Sequence, residues 1–118
     1  MVLDNISDRL YSTSGSKTAD GSYLTVIPIT DVKKVDRLSF QFINSGAAQQ
    51  KVKVYGSLDT GGSTLGGTRW TQIGDDITVA ATDSSLKSIS TTGLMLVGAT
   101  ASGTSSQVLD YNMLVQNL

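Results

Sequence analysis

Residues 35–44 read Val-Asp-Arg-Leu-Ser-Phe-Gln-Phe-Ile-Asn, and their alternation sets the fold class. Leu38, Phe40 and Phe42 fall on one side of an extended chain, and Arg37, Ser39 and Gln41 on the other. A period of two marks a strand with one dry and one wet face. Residues 51–58 repeat the pattern, with Val52 and Val54 alternating with Lys51, Lys53 and Tyr55. Only Asn44-Ser45-Gly46-Ala47-Ala48 and two glutamines lie between the two stretches. Matching faces across a short glycine-containing loop predict an antiparallel hairpin.

The same period extends outward in both directions. Tyr23, Thr25, Ile27 and Ile29 alternate with Leu24, Val26 and Pro28, so both faces of that strand are largely apolar. Pro28 is the one proline of the chain, and proline in a strand belongs at an edge or a bulge. Residues 60–68 hold four glycines among Ser, Thr and Leu and read as an exposed loop. Short strands are expected at 69–73 and 77–81, around the Gly74-Asp75-Asp76 turn. Residues 86–90, after a Thr-Asp-Ser-Ser turn, read as a weaker strand or a brief helical turn. Strands at 94–101 and 107–117 close the chain; in the last, Leu109, Tyr111, Met113 and Val115 alternate with Asp110, Asn112 and Gln116. Residues 1–21 show no period and read as an arm or edge segment running into a turn at Asp20-Gly21. The expectation is all-β, a small antiparallel β-sandwich or jelly roll at 22–118 with an N-terminal arm at 1–21.

Composition narrows the function. The 118 residues contain no histidine and no cysteine, and all ten acidic residues are aspartate. The usual general base and the usual thiol nucleophile are therefore missing, which argues against an enzyme and against any cofactor or thiolate metal site. With a net charge of -1 the chain lacks the cationic excess with which nucleic-acid binders release counterions. No apolar run reaches the ~20 residues that a bilayer span needs. Residues 1–20 lack the apolar core of a signal peptide, so the expectation is a protein made in the cytoplasm.

Four constellations could carry chemistry. Asp75 and Asp76 with Asp59 or Asp83 would supply carboxylates to calcium, but the spacing of a calcium loop is absent, and the plainer reading is a solvated turn. The glycine-rich stretch lacks the Gly-Lys-Ser/Thr ending of a phosphate loop. Lys51, Lys53 and Tyr55, with Lys33, Lys34 and Arg37 nearby in sequence, form a basic-aromatic stripe that reads more simply as a wet strand face. Ser57-Leu58-Asp59-Thr60-Gly61, followed by Trp70, resembles the Asp-box hairpin of sialidase propellers, a structural turn with no chemistry attached.

Taken whole, the chain resembles the decoration (cement) proteins of tailed-bacteriophage virions. The resemblance rests on the 1–20 arm, the Val-Lys-Val-Tyr-Gly-Ser-Leu-Asp run before Trp70, and the Ser/Thr/Gly-rich close. It implies a virion protein, made in the host cytoplasm, that forms a homotrimer and clamps the major capsid protein at threefold positions. Leu3, Ile6, Leu10 and Tyr11 of the arm, with Leu114 and Leu118, are the expected partner contacts. The alternative is a glycan- or receptor-binding β-sandwich using Trp70, Tyr55 and the glycine loop as a platform. A secreted or surface structural subunit is a third reading, and the missing signal sequence counts against it.

Overall fold

A computed structural model describes residues 10–58, 65–103 and 107–116. Its nine strands are β1 (Leu10–Thr18), β2 (Leu24–Asp31), β3 (Arg37–Asn44), β4 (Gln50–Ser57), β5 (Thr71–Gln72), β6 (Ile77–Val79), β7 (Asp83–Ser90), β8 (Leu96–Ser102) and β9 (Val108–Gln116). Sheet A has the order β1-β9-β3-β7; sheet B runs β2-β8-β4-β5, with β6 also paired to β4. Every pairing is antiparallel.

The topology is that of one long antiparallel ribbon rolled up. Leu10 faces Gln116, Leu24 faces Ala101, Arg37 faces Ser90, and Gln50 faces Val79. Strands from the two ends of the chain thus pair in turn, and partners converge towards Tyr55 and Gln72. Of the glycine-rich stretch, residues 60–64 lie outside the described residues, and residues 65–68 lead towards β5. Rolling adds two further pairings, β3 with β9 and β4 with β8, which close the two sheets. This is the jelly-roll arrangement among the two expected from the sequence.

It also corrects the hairpin reading. β3 and β4 do not pair: β3 lies in sheet A between β9 and β7, and β4 lies in sheet B beside β8. The linker between them is a corner held by a buried amide. The Asn44 side chain donates to the carbonyls of Ala48 (2.8 Å), Val79 (3.1 Å) and Ala80 (3.2 Å). Its Oδ1 accepts from the Gly46 N–H at 3.0 Å and from Gln50 Nε2 at 3.1 Å. Period-two patterning names the buried face of each strand, and it is silent about which partner covers that face.

The core lies between the sheets. Leu38, Phe40 and Phe42 meet Val52, Val54, Val97 and Ala99, with Leu109, Tyr111, Met113 and Val115 beside them. The Phe40 and Phe42 rings stack with centroids 5.8 Å apart. Tyr111 fits because its neighbour on β1 is Gly15, where a Cβ would come within 2.7 Å of the Tyr111 ring. In β2, register shifts between Thr25 and Ile27 and between Ile27 and Thr30 bracket Pro28, which therefore sits on an edge strand at bulges. The first shift explains why the consecutive residues Val26 and Ile27 are both buried.

β7 begins earlier than the sequence suggests. Asp83, Ser84 and Ser85, read as turn, are strand residues paired with Asn44, Ile43 and Phe42. The inward positions of β7 are Asp83, Ser85, Lys87 and Ile89, so three of four are polar and no dry stripe announces the strand. Residues 69–73 likewise shorten to the two-residue β5.

Candidate functional site

The two outer faces differ in kind. On sheet B, the Leu65 side chain lies across Gly98, so close that a Cβ there would approach Leu65 Cδ2 to 2.7 Å. Thr100, on the same central strand, is buried as well. Lys53 sits with its Nζ 4.7 Å from the Tyr23 ring centroid, a cation–π contact that leaves Lys51 exposed beside it. Sheet B thus presents a partly covered, cationic surface.

Sheet A presents an open one. Its outward positions form rows across β1, β9, β3 and β7. One row holds Leu114, Ser39 and Ser88; the next holds Ser14, Asn112, Gln41 and Leu86; a third holds Ser16, Asp110, Ile43 and Ser84. Short hydroxyl and amide side chains bond to one another here: the Ser39 and Ser88 hydroxyls lie 2.6 Å apart, and Asn112 Nδ2 donates to Gln41 Oε1 at 3.3 Å. Leu86 is 79% exposed and Leu114 41% exposed. Charge along these rows is confined to Asp110 and, at the far end of β3, Arg37, with Asp83 at the edge of the face. A solvated antiparallel face ordinarily carries interspersed charges, and depletion of charge around exposed aliphatics is the composition of a contact surface.

Around Ile43 the face dips into two adjoining shallow grooves. One is lined by Gln41, Asn44, Ser45, Thr82, Asp83 and Ser84, the other by Ser14, Gly15, Ser16, Asp110, Tyr111 and Asn112. Thr82, at the rim, has φ +52°, in the left-handed region that a β-branched residue disfavours. Its N–H bonds the Gly46 carbonyl at 3.1 Å, which ties it to the Asn44 corner. Relieving that backbone by Thr82→Gly is expected to raise the unfolding free energy by about 1 kcal/mol in a urea titration.

The sequence-level candidates distribute unevenly over this geometry. Leu114 stands on the open face of sheet A. Leu10 and Tyr11 belong to β1, opposite Gln116 and Val115. Leu3, Ile6 and Leu118 lie outside the described residues, as does Asp59. Lys51, Lys53 and Tyr55 share the outward face of β4, but the flanking cations lie elsewhere: Arg37 is on sheet A, and Lys33 and Lys34 follow the Asp31 end of β2, at the opposite end of sheet B from Lys51. Lys33 pairs with Asp31 at 3.4 Å.

Asp76 accepts from Gln72 Nε2 at 2.7 Å in an exposed turn, and Asp83 accepts the Ser84 N–H. Among the described residues no three His, Cys, Asp or Glu side chains gather to hold a metal. Two turn carboxyls are held below the ordinary carboxylate range. Asp20 is lowered chiefly by the hydroxyl and N–H of Ser22, and Asp31 by the backbone N–H of Lys33. Both are turn caps with no reacting partner. Trp70 is 7% exposed, so its ring is not offered as a sugar platform, and its indole N–H has no hydrogen-bond partner. Sequence reading missed Leu86, Ile43 and the serine rows. Their signal was a solvent face written in Ser, Gln and Asn rather than Lys and Asp.

No family model matches the sequence, and no curated protein does. Solved structures do resemble it. A subunit of Bacillus endospore appendages, described as disulfide-linked pili, superposes with a TM-score of 0.60 at 14% identity, covering 92% of this chain and 85% of that one. The SPBc2 prophage-derived protein YomS gives 0.56 at 15% identity, covering 91% and 95%. PirA gives 0.56 at 12% identity, covering 90% and 94%. What these chains share with this one is the fold.

Proposed function

We propose that this chain is a non-enzymatic structural protein of a virion, binding and stabilising a capsid lattice as a decoration protein does. The observation that carries the reading is the open face of sheet A, poor in charge and studded with Leu86, Leu114 and Ile43. The jelly roll supports it, since the same fold serves in the spore-appendage subunit and in prophage-derived YomS. With no cysteine, this chain has to hold its partners without the disulfides named for those appendages.

The physical work is linkage. A protein that binds only the assembled lattice stabilises it by RT ln(1 + [L]/Kd), about 2.7 kcal/mol per site at a hundredfold excess over Kd. Repetition over many equivalent sites then multiplies resistance to disassembly. The partner in this reading is the major capsid protein, met by the sheet A face together with the N-terminal residues Leu3 and Ile6.

The test uses particles banded from lysates of the organism that encodes the chain. The wild-type protein is expected in stoichiometric amount in those particles by quantitative mass spectrometry. The variant carrying Leu86→Asp and Leu114→Asp, with an unchanged circular dichroism spectrum, is expected to be absent from them. Particles without the wild-type protein, or with equal amounts of the variant, would overturn the reading.

A further inference from the structure

A jelly roll has four strand edges, and each presents unpaired N–H and C=O groups that will pair with another chain unless something prevents it. Three of the four are blunted here. β2 carries Pro28 and two register shifts. The β5/β6 edge is broken into two and three residues by the Gly74-Asp75-Asp76 turn. β7 turns Lys87 towards the core side, its Nζ beside Gly74, and its Ser85 hydroxyl donates to the Thr78 carbonyl of neighbouring β6. An inward-pointing lysine and a flanking strand are two recurrent devices against edge pairing.

β1 has none of these obstructions along most of its length. Its nine residues, Leu-Tyr-Ser-Thr-Ser-Gly-Ser-Lys-Thr, pair with β9 in an unbroken register from Leu10↔Gln116 to Thr18↔Val108. There is no proline and no bulge, and the one charge, Lys17, sits near the end. Among the described residues β9 is its only strand partner, and the other edge of β1 is open.

We propose that β1 pairs antiparallel with β1 of a second copy, about a twofold axis at Ser14. Full overlap of the nine residues selects this register. It sets Lys17 opposite Tyr11 and Ser14 opposite Ser14, and it keeps the two lysines at opposite ends of the joint. About eight to ten backbone hydrogen bonds become available across nine residue pairs. Symmetry selects the stoichiometry. A closed trimer made by edge pairing needs two different open edges, and β2, β5/β6 and β7 are blunted, whereas a twofold joint needs only one. The product is a continuous eight-stranded sheet whose outer side doubles the charge-poor face of Leu86 and Leu114. The pairing is a property of the purified chain, so it stands or falls separately from lattice binding.

The absence of native cysteine makes the test clean. Ser14→Cys brings two thiols face to face across the axis, within the Cα separation a disulfide allows, and is expected to oxidise to a covalent dimer. Ser90→Cys, on the opposite edge, is expected to form no covalent dimer under the same oxidation. Neighbouring residues aim their N–H groups in opposite in-plane directions, so one of Thr13→Pro and Ser14→Pro removes a donor from the open edge and the other from the β9 ladder. Sedimentation across a dilution series should show a dimer for the wild type. The proline variant that keeps its circular dichroism should be a monomer. A wild-type monomer or trimer, a dimer untouched by the folded proline variant, or equal cross-linking at Ser14 and Ser90 would overturn the proposal.

Discussion

Asn44→Ala is expected to lower the unfolding free energy by about 3–5 kcal/mol in a urea or guanidinium titration, one of the two largest single-residue effects in this chain. Asn44 is 1% exposed, and its amide serves five partners at the corner where the chain passes from sheet A to sheet B. Removing it deprives the Val79 carbonyl and the Gln50 amide of a partner in a buried place, and the Ala48 and Ala80 carbonyls and the Gly46 N–H of one at its part-buried rim. Each buried group left without a partner costs about 1–3 kcal/mol, less where water enters as the corner loosens. Gln50 is itself 2% exposed, with its side chain packed over Gly103. Asn44→Asp keeps the acceptor, loses both donors and buries a charge, so it should be no milder. Asn112→Ala is the control: its single 3.3 Å bond to Gln41 is exposed, and its loss should fall within about 0.5 kcal/mol.

Asn44 also marks the limit of what the sequence reveals. The strands β3, β4 and β9 are legible because each has one buried and one wet face. The jelly roll is less so, because its pairings join residues from opposite ends of the chain. Leu10 meets Gln116 and Arg37 meets Ser90, and nothing local to any of these residues announces the other. The short loop at Asn44 looked like a hairpin turn because loop length and face matching are local properties. A buried asparagine at the end of an apolar strand was the one sign that the chain turned a corner there.

The candidate surface was legible only in part. Leu114 was visible as an exposed aliphatic within an alternating strand. Leu86 and Ile43 were not, since their role depends on β7 and β3 lying side by side in sheet A. Seeing the face needs the lateral order β1-β9-β3-β7, which the one-dimensional pattern does not carry. The tryptophan is the converse case. Trp70 stood out by type, and the fold withdraws it into a buried position.

The second large effect separates folding from assembly. Phe42→Ala is expected to cost about 3–5 kcal/mol of stability, the usual range for removing a fully buried phenylalanine. Phe42 is 0% exposed, faces Tyr111 across β9, and stacks on Phe40 with an interplanar angle of 24°. β3 is flanked by β9 and β7, so the surrounding backbone is held on both sides and has little freedom to collapse into the space. Leu86→Ala removes an aliphatic side chain from the same sheet, yet at 79% exposure it should change stability by less than about 0.5 kcal/mol. Under the assembly reading the order reverses when particle binding is the readout. Leu86→Ala then weakens retention in a chain as stable as the wild type, whereas Phe42→Ala affects it only through the fraction unfolded. Denaturant titrations beside particle-retention assays on both variants make the comparison. If Leu86→Ala lowers stability as much as Phe42→Ala, or leaves retention unchanged, sheet A's outer face is scaffold and the contact lies elsewhere.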